Sequence, residues 1–149
     1  MSERDGYRAG VPCWVAAVLP DLEKAVAFYT ELFDWEARET MGLTHPKSTS
    51  SAPFVAATSP RSARRGRAVP SVPAWRTYIR AESADYTIAR VRRAGGSVVM
   101  KPSDLLDAAR EAVVSNQVGT EFGVWQQGKH KGAGIVNEPG ARGCGLLCP

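Results

Sequence analysis

The strongest structural signal in this 149-residue sequence is the stretch Pro20-Asp-Leu-Glu-Lys-Ala-Val-Ala-Phe-Tyr-Thr-Glu-Leu-Phe-Asp-Trp35. Its apolar residues recur at the three- and four-residue spacing that marks one face of an α-helix. Asp21 stands just before them, where an aspartate can cap the first turn by accepting a backbone N–H hydrogen bond. The pattern predicts a helix that begins after Asp21 and ends near residues 34–35.

Strand signals lie on both sides of this helix. Residues 11–19 are apolar and rich in Val and Ala, which is typical of a buried strand. Residues 54–57, Phe-Val-Ala-Ala, form a second and shorter strand candidate after a run of polar segments. The first part of the chain therefore reads as strand, helix and further short strands.

The same order returns after residue 72. Residues 73–79 alternate in character as a strand does, a second helix starts at Ser83 or Asp85, and Gly95-Gly96 ends it. Three further strands are predicted at residues 97–100, 109–115 and 121–126, with residues 116–119 as the turn between the last two.

The two units are offset by 61 or 62 residues: Pro12-Cys-Trp14 is echoed by Pro73-Ala-Trp75 at 61, and the helical stretch from Ala27 is echoed in position from Ala89 at 62. A repeated unit usually cannot bury its apolar face alone, so we expect the two modules to fold together. Their predicted bounds are about 11–60 and 72–128, within one domain of residues 11–140. Residues 1–10 and the Gly-rich residues 141–149 are predicted to be tails.

Charge and apolar patterning exclude several classes of function. The net charge is +4, but residues 51–100 hold nine basic and only two acidic residues, with a basic stretch at 61–67. That stretch is typical of a solvated loop, and without zinc-finger spacing or aromatic-basic interleaving no nucleic-acid partner is expected. No apolar run approaches the roughly 20 residues of a membrane span, and the first ten residues are polar. We therefore expect no membrane association and a cytoplasmic location.

The cysteines give little information about function. Cys13, Cys144 and Cys148 are odd in number and widely spaced, which argues against a disulfide framework. The last two stand in the predicted tail, and no role is assigned to them.

Several stretches resemble the vicinal oxygen chelate superfamily, which includes glyoxalases, bleomycin-resistance proteins and extradiol dioxygenases. Residues 20–35 resemble its first helix, residues 90–98 its second helix and turn, and residues 119–126, Gly-Thr-Glu-Phe-Gly-Val-Trp-Gln, its final strand. Residues 134–140 resemble the tail of a subgroup in which many members are tandem two-domain chains, whereas this sequence shows one such domain. The resemblance implies an α+β fold in which two βαβββ modules form one glyoxalase-like domain with a concave cleft. It also implies a homodimer, because single-domain members usually dimerise.

Metal-using members of that superfamily place His, Glu or Gln at four positions of the cleft. By the resemblance these positions fall at Trp14, at Trp75 or Arg76 depending on the strand register, at Gly123, and within residues 54–57. Divalent metals bind carboxylate, imidazole or thiolate groups, and none of the four positions supplies one. We therefore expect no metal and no cofactor.

Aromatic side chains dominate the same positions. Trp14 and Trp125 fall where relatives face the cleft, and Tyr78 shares strand parity with Arg76 and Arg80. An aromatic-lined cleft suits a flat ligand held by stacking, so Trp14, Arg76, Tyr78 and Trp125 are the predicted ligand-binding residues. In the alternative interpretation the tryptophans belong to the core and the two arginines lie at the edges of the helix-packing face.

Acid–base candidates are few. Glu111 interrupts an otherwise apolar strand, where a buried carboxylate could serve as a general base, and it is the candidate catalytic residue. Alternatively, strand parity turns Glu111 toward solvent or a neighbouring charge pairs with it. The two histidines, His45 and His130, have no plausible co-ligand close in sequence.

These observations favour a metal-independent small-molecule binding protein of the glyoxalase and bleomycin-resistance type. Its ligand would be aromatic or amphipathic, as in antibiotic sequestration or in binding within a natural-product pathway. The alternative is a metal-independent isomerase, cyclase or lyase of the same superfamily, with acid–base side chains in the cleft.

Overall fold

The computed structural model describes residues 5–18, 21–33, 36–40, 43–47, 55–56, 74–105 and 107–134. These residues fall into two compact units. The first unit holds the described residues of 15–75 together with residues 5, 133 and 134, and the second holds those of 6–14 and 76–132. The basic stretch 61–67, both C-terminal cysteines and the predicted tail from residue 141 lie outside the described residues.

The chain order is βαβββ twice, which confirms the predicted α+β fold of two modules. The elements of the first module are β1 (Pro12–Val18), α1 (Leu22–Phe33), β2 (Glu36–Thr40), β3 (Leu43–Lys47) and β4 (Val55–Ala56). Those of the second are β5 (Ala74–Ala81), α2 (Ala84–Arg93), β6 (Ser97–Leu105), β7 (Ala109–Ser115) and β8 (Glu121–Gln127).

The two modules pair their strands in the same way. In the first, the strand order is β2-β3-β4-β1, and in the second it is β6-β7-β8-β5. In each, the first strand runs parallel to the last: Ala16 pairs with Val55, and Tyr78 pairs with Gly123. The remaining neighbours are antiparallel, with a crossover helix between the first two strands of each module. The repeat in the sequence is therefore a repeat of topology.

Side-chain caps begin both helices, as the sequence predicts. Asp21 Oδ1 accepts a hydrogen bond from the Lys24 backbone N–H at 3.1 Å, and Ser83 Oγ accepts one from the Tyr86 N–H at 3.2 Å. Each bond pairs one of the N–H groups that a helix start leaves unsatisfied. Helix α2 ends at Arg93 with Ala94 as its C-cap, and the next residue, Gly95, has a φ of +81° that is costly for residues with a Cβ.

The core of the second unit lies between its sheet and one face of α2. Its buried members come from β5, α2, β7 and β8: Ala81, Ala84, Ile88, Ala112, Val114 and Val124. On β7 and β8 these are the even-numbered residues, so the odd-numbered residues point to the opposite face. On β5 the assignment is reversed, and Arg76, Tyr78 and Arg80 share the face away from α2. That face carries most of the predicted site residues.

Among the described residues, neither helix is long and apolar enough to cross a membrane.

Candidate functional site

Three of the predicted site residues meet in one aromatic cluster within the second unit. The rings of Trp14 and Trp125 are stacked with centroids 6.1 Å apart, and the Tyr78 ring meets Trp125 edge-on at 5.6 Å. His130 completes the cluster with edge-on contacts to Trp14 at 4.4 Å and to Trp125 at 5.5 Å. We call these four residues the aromatic cluster.

The sheet register brings these rings together. Tyr78 pairs with Gly123 across the parallel β5 and β8, so Trp125, two residues further, stands on the same face. Gly123 is one of the positions that the resemblance assigns to a metal ligand, and the Tyr78 ring covers it. A Cβ added at Gly123 would lie 2.1 Å from Cδ1 of Tyr78, which is far inside contact distance. Any side chain at residue 123 would therefore displace the tyrosine.

Three members of the cluster are almost completely buried, whereas His130 is partly exposed. Exposed fractions are 2% for Trp14, 1% for Tyr78 and 3% for Trp125. The Trp125 indole N–H donates to the backbone carbonyl of His130 at 3.1 Å, so the buried indole keeps a hydrogen-bond partner. The rings of Trp14, Tyr78 and Trp125 therefore contribute to the packing of the second unit.

His130 is the member that the sequence analysis did not assign. Its backbone N–H donates to the Ala108 carbonyl at 2.9 Å, and its Nδ1 accepts the Gly132 N–H at 3.3 Å. Burial lowers the pKa of His130 below its ordinary value of 6.5. Burial therefore disfavours the charged form of the imidazole. In the sequence, the one indication that His130 belongs to this site is that it follows Trp125 by five residues.

The register left open at Trp75 and Arg76 is decided by the structure. Arg76 is 6% exposed and shares the face of Tyr78, whereas Trp75 points the other way and is 48% exposed. In the first unit Trp75 meets the Tyr29 ring edge-on at 5.3 Å. The position equivalent to Trp14 is therefore Arg76, in agreement with the 62-residue spacing between the caps Asp21 and Ser83.

The guanidinium of Arg76 is neutralised within the second unit. Its Nη2 donates to Oε2 of Glu121 at 2.8 Å. Arg76 precedes Tyr78 by two residues on β5 and faces the same side of the sheet. The ion pair of Arg76 and Glu121 therefore stands beside the aromatic cluster.

Glu111 is buried, which contradicts the interpretation that strand parity turns it toward solvent. It is 1% exposed and stands on β7 directly opposite Trp125 in the register of β7 and β8. Its odd position places it on the face of the aromatic cluster and away from α2. A carboxylate in such a place is a suitable proton acceptor for a bound molecule.

The residues at the family's metal positions do not fit a metal ion. Trp14 and Arg76 offer an indole and a paired guanidinium, Gly123 has no side chain, and Val55 and Ala56 are aliphatic. Cys13, next to Trp14, donates its S–H to the Tyr78 carbonyl at 3.5 Å. Among the described residues no group of three or more His, Cys, Asp or Glu could hold a metal. The described residues at these positions therefore offer no carboxylate, imidazole or thiolate group to a divalent metal.

One depression of the second unit lies away from the aromatic cluster. It is an open, largely apolar groove of about 290 Å³ beside the C-terminal end of α2. Val118 and Phe122 line it, and Val118 is 85% exposed in the β7–β8 turn. None of the residues that line the groove has a titratable side chain, so the groove offers no group for acid–base chemistry.

Comparison with protein families matches residues 13–127 to the model of the Glyoxalase/Bleomycin resistance protein/Dioxygenase superfamily. Among curated proteins, the chain is 34% identical over 144 residues to "Putative glyoxylase CFP32" of Mycobacterium tuberculosis, covering 94% of this chain and 54% of that protein. It is 32% identical over 149 residues to the anthracycline biosynthesis protein DnrV of Streptomyces peucetius, covering 92% and 54%. The chain thus spans about half the length of the curated relatives it matches.

Solved structures share the fold at low sequence identity. An extradiol ring-cleaving dioxygenase from B. fuscum matches with a TM-score of 0.54 and 14% identity, covering 83% of this chain and 34% of that one. A structure described as an NAD-dependent benzaldehyde dehydrogenase from Legionella pneumophila matches with a TM-score of 0.52 and 13% identity, covering 76% and 97%. At these identities the likeness concerns the fold alone.

Proposed function

This chain belongs to the Glyoxalase/Bleomycin resistance protein/Dioxygenase superfamily, and we propose that it is a cytoplasmic, metal-independent binding protein for a small aromatic or amphipathic molecule. The observation that carries the proposal is the aromatic cluster on the sheet face where metal-using members hold their ion. There the ring of Trp125 contacts both the ring of Trp14 and the ring of Tyr78. Such rings bind flat apolar molecules by stacking and have no affinity for divalent metals.

The name of one relative supports a polycyclic aromatic ligand. The Streptomyces peucetius protein that is 32% identical to this chain is named for anthracycline biosynthesis. Binding of an antibiotic for sequestration, or of an intermediate in a natural-product pathway, would both use a planar ring system. Since the rings of Trp14, Tyr78 and Trp125 are only 1–3% exposed, ligand entry requires local opening of this face.

Fluorescence titration tests the binding function, because Trp14 and Trp125 lie in the proposed site and Trp75 does not. We expect a planar tricyclic probe such as anthraquinone to quench the emission of the native protein, whereas cyclohexanol leaves it unchanged. Trp14→Phe should weaken anthraquinone binding, and full truncation of a stacking ring costs about 1–3 kcal/mol of binding free energy. The matched control Trp75→Phe should bind normally. If Trp14→Phe and Trp75→Phe weaken anthraquinone binding equally, the assignment of the binding site to the aromatic cluster is wrong.

Metal analysis tests the other half of the proposal. We expect the purified protein to contain less than one equivalent of zinc, iron or manganese, and EDTA to leave its thermal unfolding unchanged. Stoichiometric metal bound by protein side chains would show that the metal positions are assigned wrongly.

A second candidate function, a metal-independent isomerase, cyclase or lyase, is favoured by Glu111. Its buried carboxylate stands opposite Trp125 on the face of the cluster, within one strand spacing of the proposed ligand. Under this alternative the protein would convert a bound carbonyl-containing probe, and Glu111→Gln would abolish conversion while binding persists. If the probe returns chemically unchanged after long incubation with excess native protein, binding alone is favoured.

Homodimer formation is part of the proposal. Strand β6 ends the strand order of the second unit and exposes 40% of Val99, so its outer edge is available for pairing. Helix α1 of the first unit exposes 58% of Phe28 and 55% of Leu32, which a second copy could cover. We expect sedimentation at micromolar concentration to give a dimer. A pure monomer at that concentration would count against this part of the proposal.

A further inference from the structure

Arg80 lies beside the aromatic cluster on the same face of the second unit. Parallel pairing of β5 and β8 places it next to Trp125, and Glu111 stands on the other side of that tryptophan. The backbone of Arg80 is fixed: its carbonyl accepts the Gly10 N–H at 2.8 Å, and its N–H donates to the Val11 carbonyl at 2.9 Å. Arg80 and Glu111 thus stand on the two strands that flank Trp125, and neighbouring strands are about 5 Å apart.

One nitrogen of this guanidinium has no partner. The Nε of Arg80 donates to Oε1 of Gln127 at 3.3 Å, whereas Nη1 is buried and makes no hydrogen bond. Within the described part of the chain, no other side-chain nitrogen or oxygen is buried without a partner. Arginine remains charged at every pH of interest, and a buried donor left unpaired is destabilising. The described residues therefore leave this group without the partner that a buried donor needs.

Arg76, four residues earlier on the same strand, shows the contrast. It faces the same side of the sheet, and Glu121 supplies its carboxylate at 2.8 Å. Among the described residues, no acidic side chain forms an ion pair with Arg80. The fold thus neutralises one of two neighbouring guanidinium groups and leaves the other with positive charge beside the rings.

Building on the proposed binding function, we propose that Arg80 binds the carboxylate of a ligand whose ring system lies on the aromatic cluster. The ligand class is then a planar aromatic acid. Carboxylate oxygens match the spacing of guanidinium N–H groups, and such charged hydrogen bonds are stronger than neutral ones. Because Gln127 occupies Nε, the carboxylate approaches the Nη side.

Two probes that differ only in charge test this inference: anthraquinone-2-carboxylate and its uncharged carboxamide. In fluorescence titrations at fixed ionic strength we expect the native protein to bind the carboxylate at least tenfold more tightly than the amide. Arg80→Gln should reduce this preference to less than threefold while amide binding stays within twofold of native. Arg90→Gln removes an exposed cation of α2 and is the matched control for net charge; it should keep the full preference.

A second variant keeps the test valid if Arg80→Gln folds poorly. Gln127→Glu places a carboxylate against Nε of Arg80 and should neutralise the guanidinium from within, again reducing the preference for the charged probe. Thermal unfolding with and without each probe gives an independent readout, since a ligand that binds only the native state raises the unfolding temperature.

The outcomes separate this inference from the function on which it rests. If the amide binds but the native protein shows no preference for the carboxylate, or if Arg80→Gln keeps that preference, the role of Arg80 is overturned and aromatic binding stands. If neither probe binds the native protein, the proposed binding function fails and the role of Arg80 fails with it.

Discussion

The two modules share one topology but bury their helices to different extents. In α1 no residue from Glu23 to Phe33 is buried, and Phe28 and Leu32 are more than half exposed. In α2, whose sequence Ala-Asp-Tyr-Thr-Ile-Ala-Arg-Val-Arg-Arg is far more polar, Ala84 is fully buried and Ile88 is 6% exposed. The number of apolar residues on a helix therefore does not determine how much of the helix is covered.

The largest effect is expected from truncating a ring of the aromatic cluster. Trp125→Ala removes a side chain that is 3% exposed and should lower the free energy of unfolding by about 3–5 kcal/mol. Trp75→Ala removes a half-exposed ring whose described ring contact is with Tyr29, and should cost only about 1 kcal/mol. Urea unfolding followed by circular dichroism measures both. Equal losses would mean that the contrast in burial has no energetic counterpart.

The helices provide the next test of the comparison. Ile88→Ala should cost about 2–4 kcal/mol, because it opens a cavity between α2 and the sheet. Leu32→Ala on the exposed face of α1 should change the free energy of unfolding by no more than about 0.5 kcal/mol. The same denaturation experiment, performed at low protein concentration, compares them. A large loss for Leu32→Ala that grows with protein concentration would show that a second copy covers α1.

A smaller effect is expected at the start of α2. Ser83→Ala removes the hydrogen bond to the Tyr86 N–H and should cost about 1 kcal/mol. Ser83→Gly should cost less, since glycine leaves the N–H groups open to water. Thermal unfolding of the two variants side by side checks the order. If the alanine variant is as stable as the native protein, the cap has no energetic role.

The smallest effect is a pH dependence that comes from His130. Its pKa in the folded protein is lowered by burial, so its contribution to stability is complete above the unfolded value near 6.5. That contribution is lost as the pH falls from 6.5 through the folded pKa, because only the unfolded chain then takes up the proton. Urea unfolding at pH 7.5 and pH 5.5 should show a smaller loss for His130→Gln than for the native protein. An unchanged or larger loss in the variant would contradict the burial of the imidazole.

Local features were predictable because local interactions specify them. The caps Asp21 and Ser83, the glycine after α2 and the turn at residues 116–119 all rest on hydrogen bonds or dihedral angles within a few residues. In that turn, Oδ1 of Asn116 accepts the N–H groups of Val118 and Thr120 at 3.1 and 2.9 Å. Such contacts form wherever the sequence permits them, so the pattern of residue types suffices to place them.

Strand β6 shows where local reasoning failed. The sequence predicted a strand over residues 97–100, whereas β6 runs over Ser97–Leu105. Its pairing with β7 shifts register between Val98 and Met100 and again between Met100 and Ser103. Two irregularities break the alternation of polar and apolar residues on which the prediction depends. Pairing with the antiparallel strand β7 extends β6 to Leu105, although the sequence of β6 indicates an end near Met100.

Of the candidate site, the sequence by itself determined that Arg76, Tyr78 and Arg80 share a face, because the alternation of side chains along a strand is a property of the extended backbone. It could not determine that Trp14 stacks on Trp125, that His130 returns to the same rings, or that Glu111 is buried opposite Trp125. Those contacts join residues 5 to 116 positions apart. The register of β7 and β8 sets Glu111 opposite Trp125, and the tertiary structure brings Trp14 and His130 to the same rings. The sheet register supplies that information, and no short stretch of the sequence contains it.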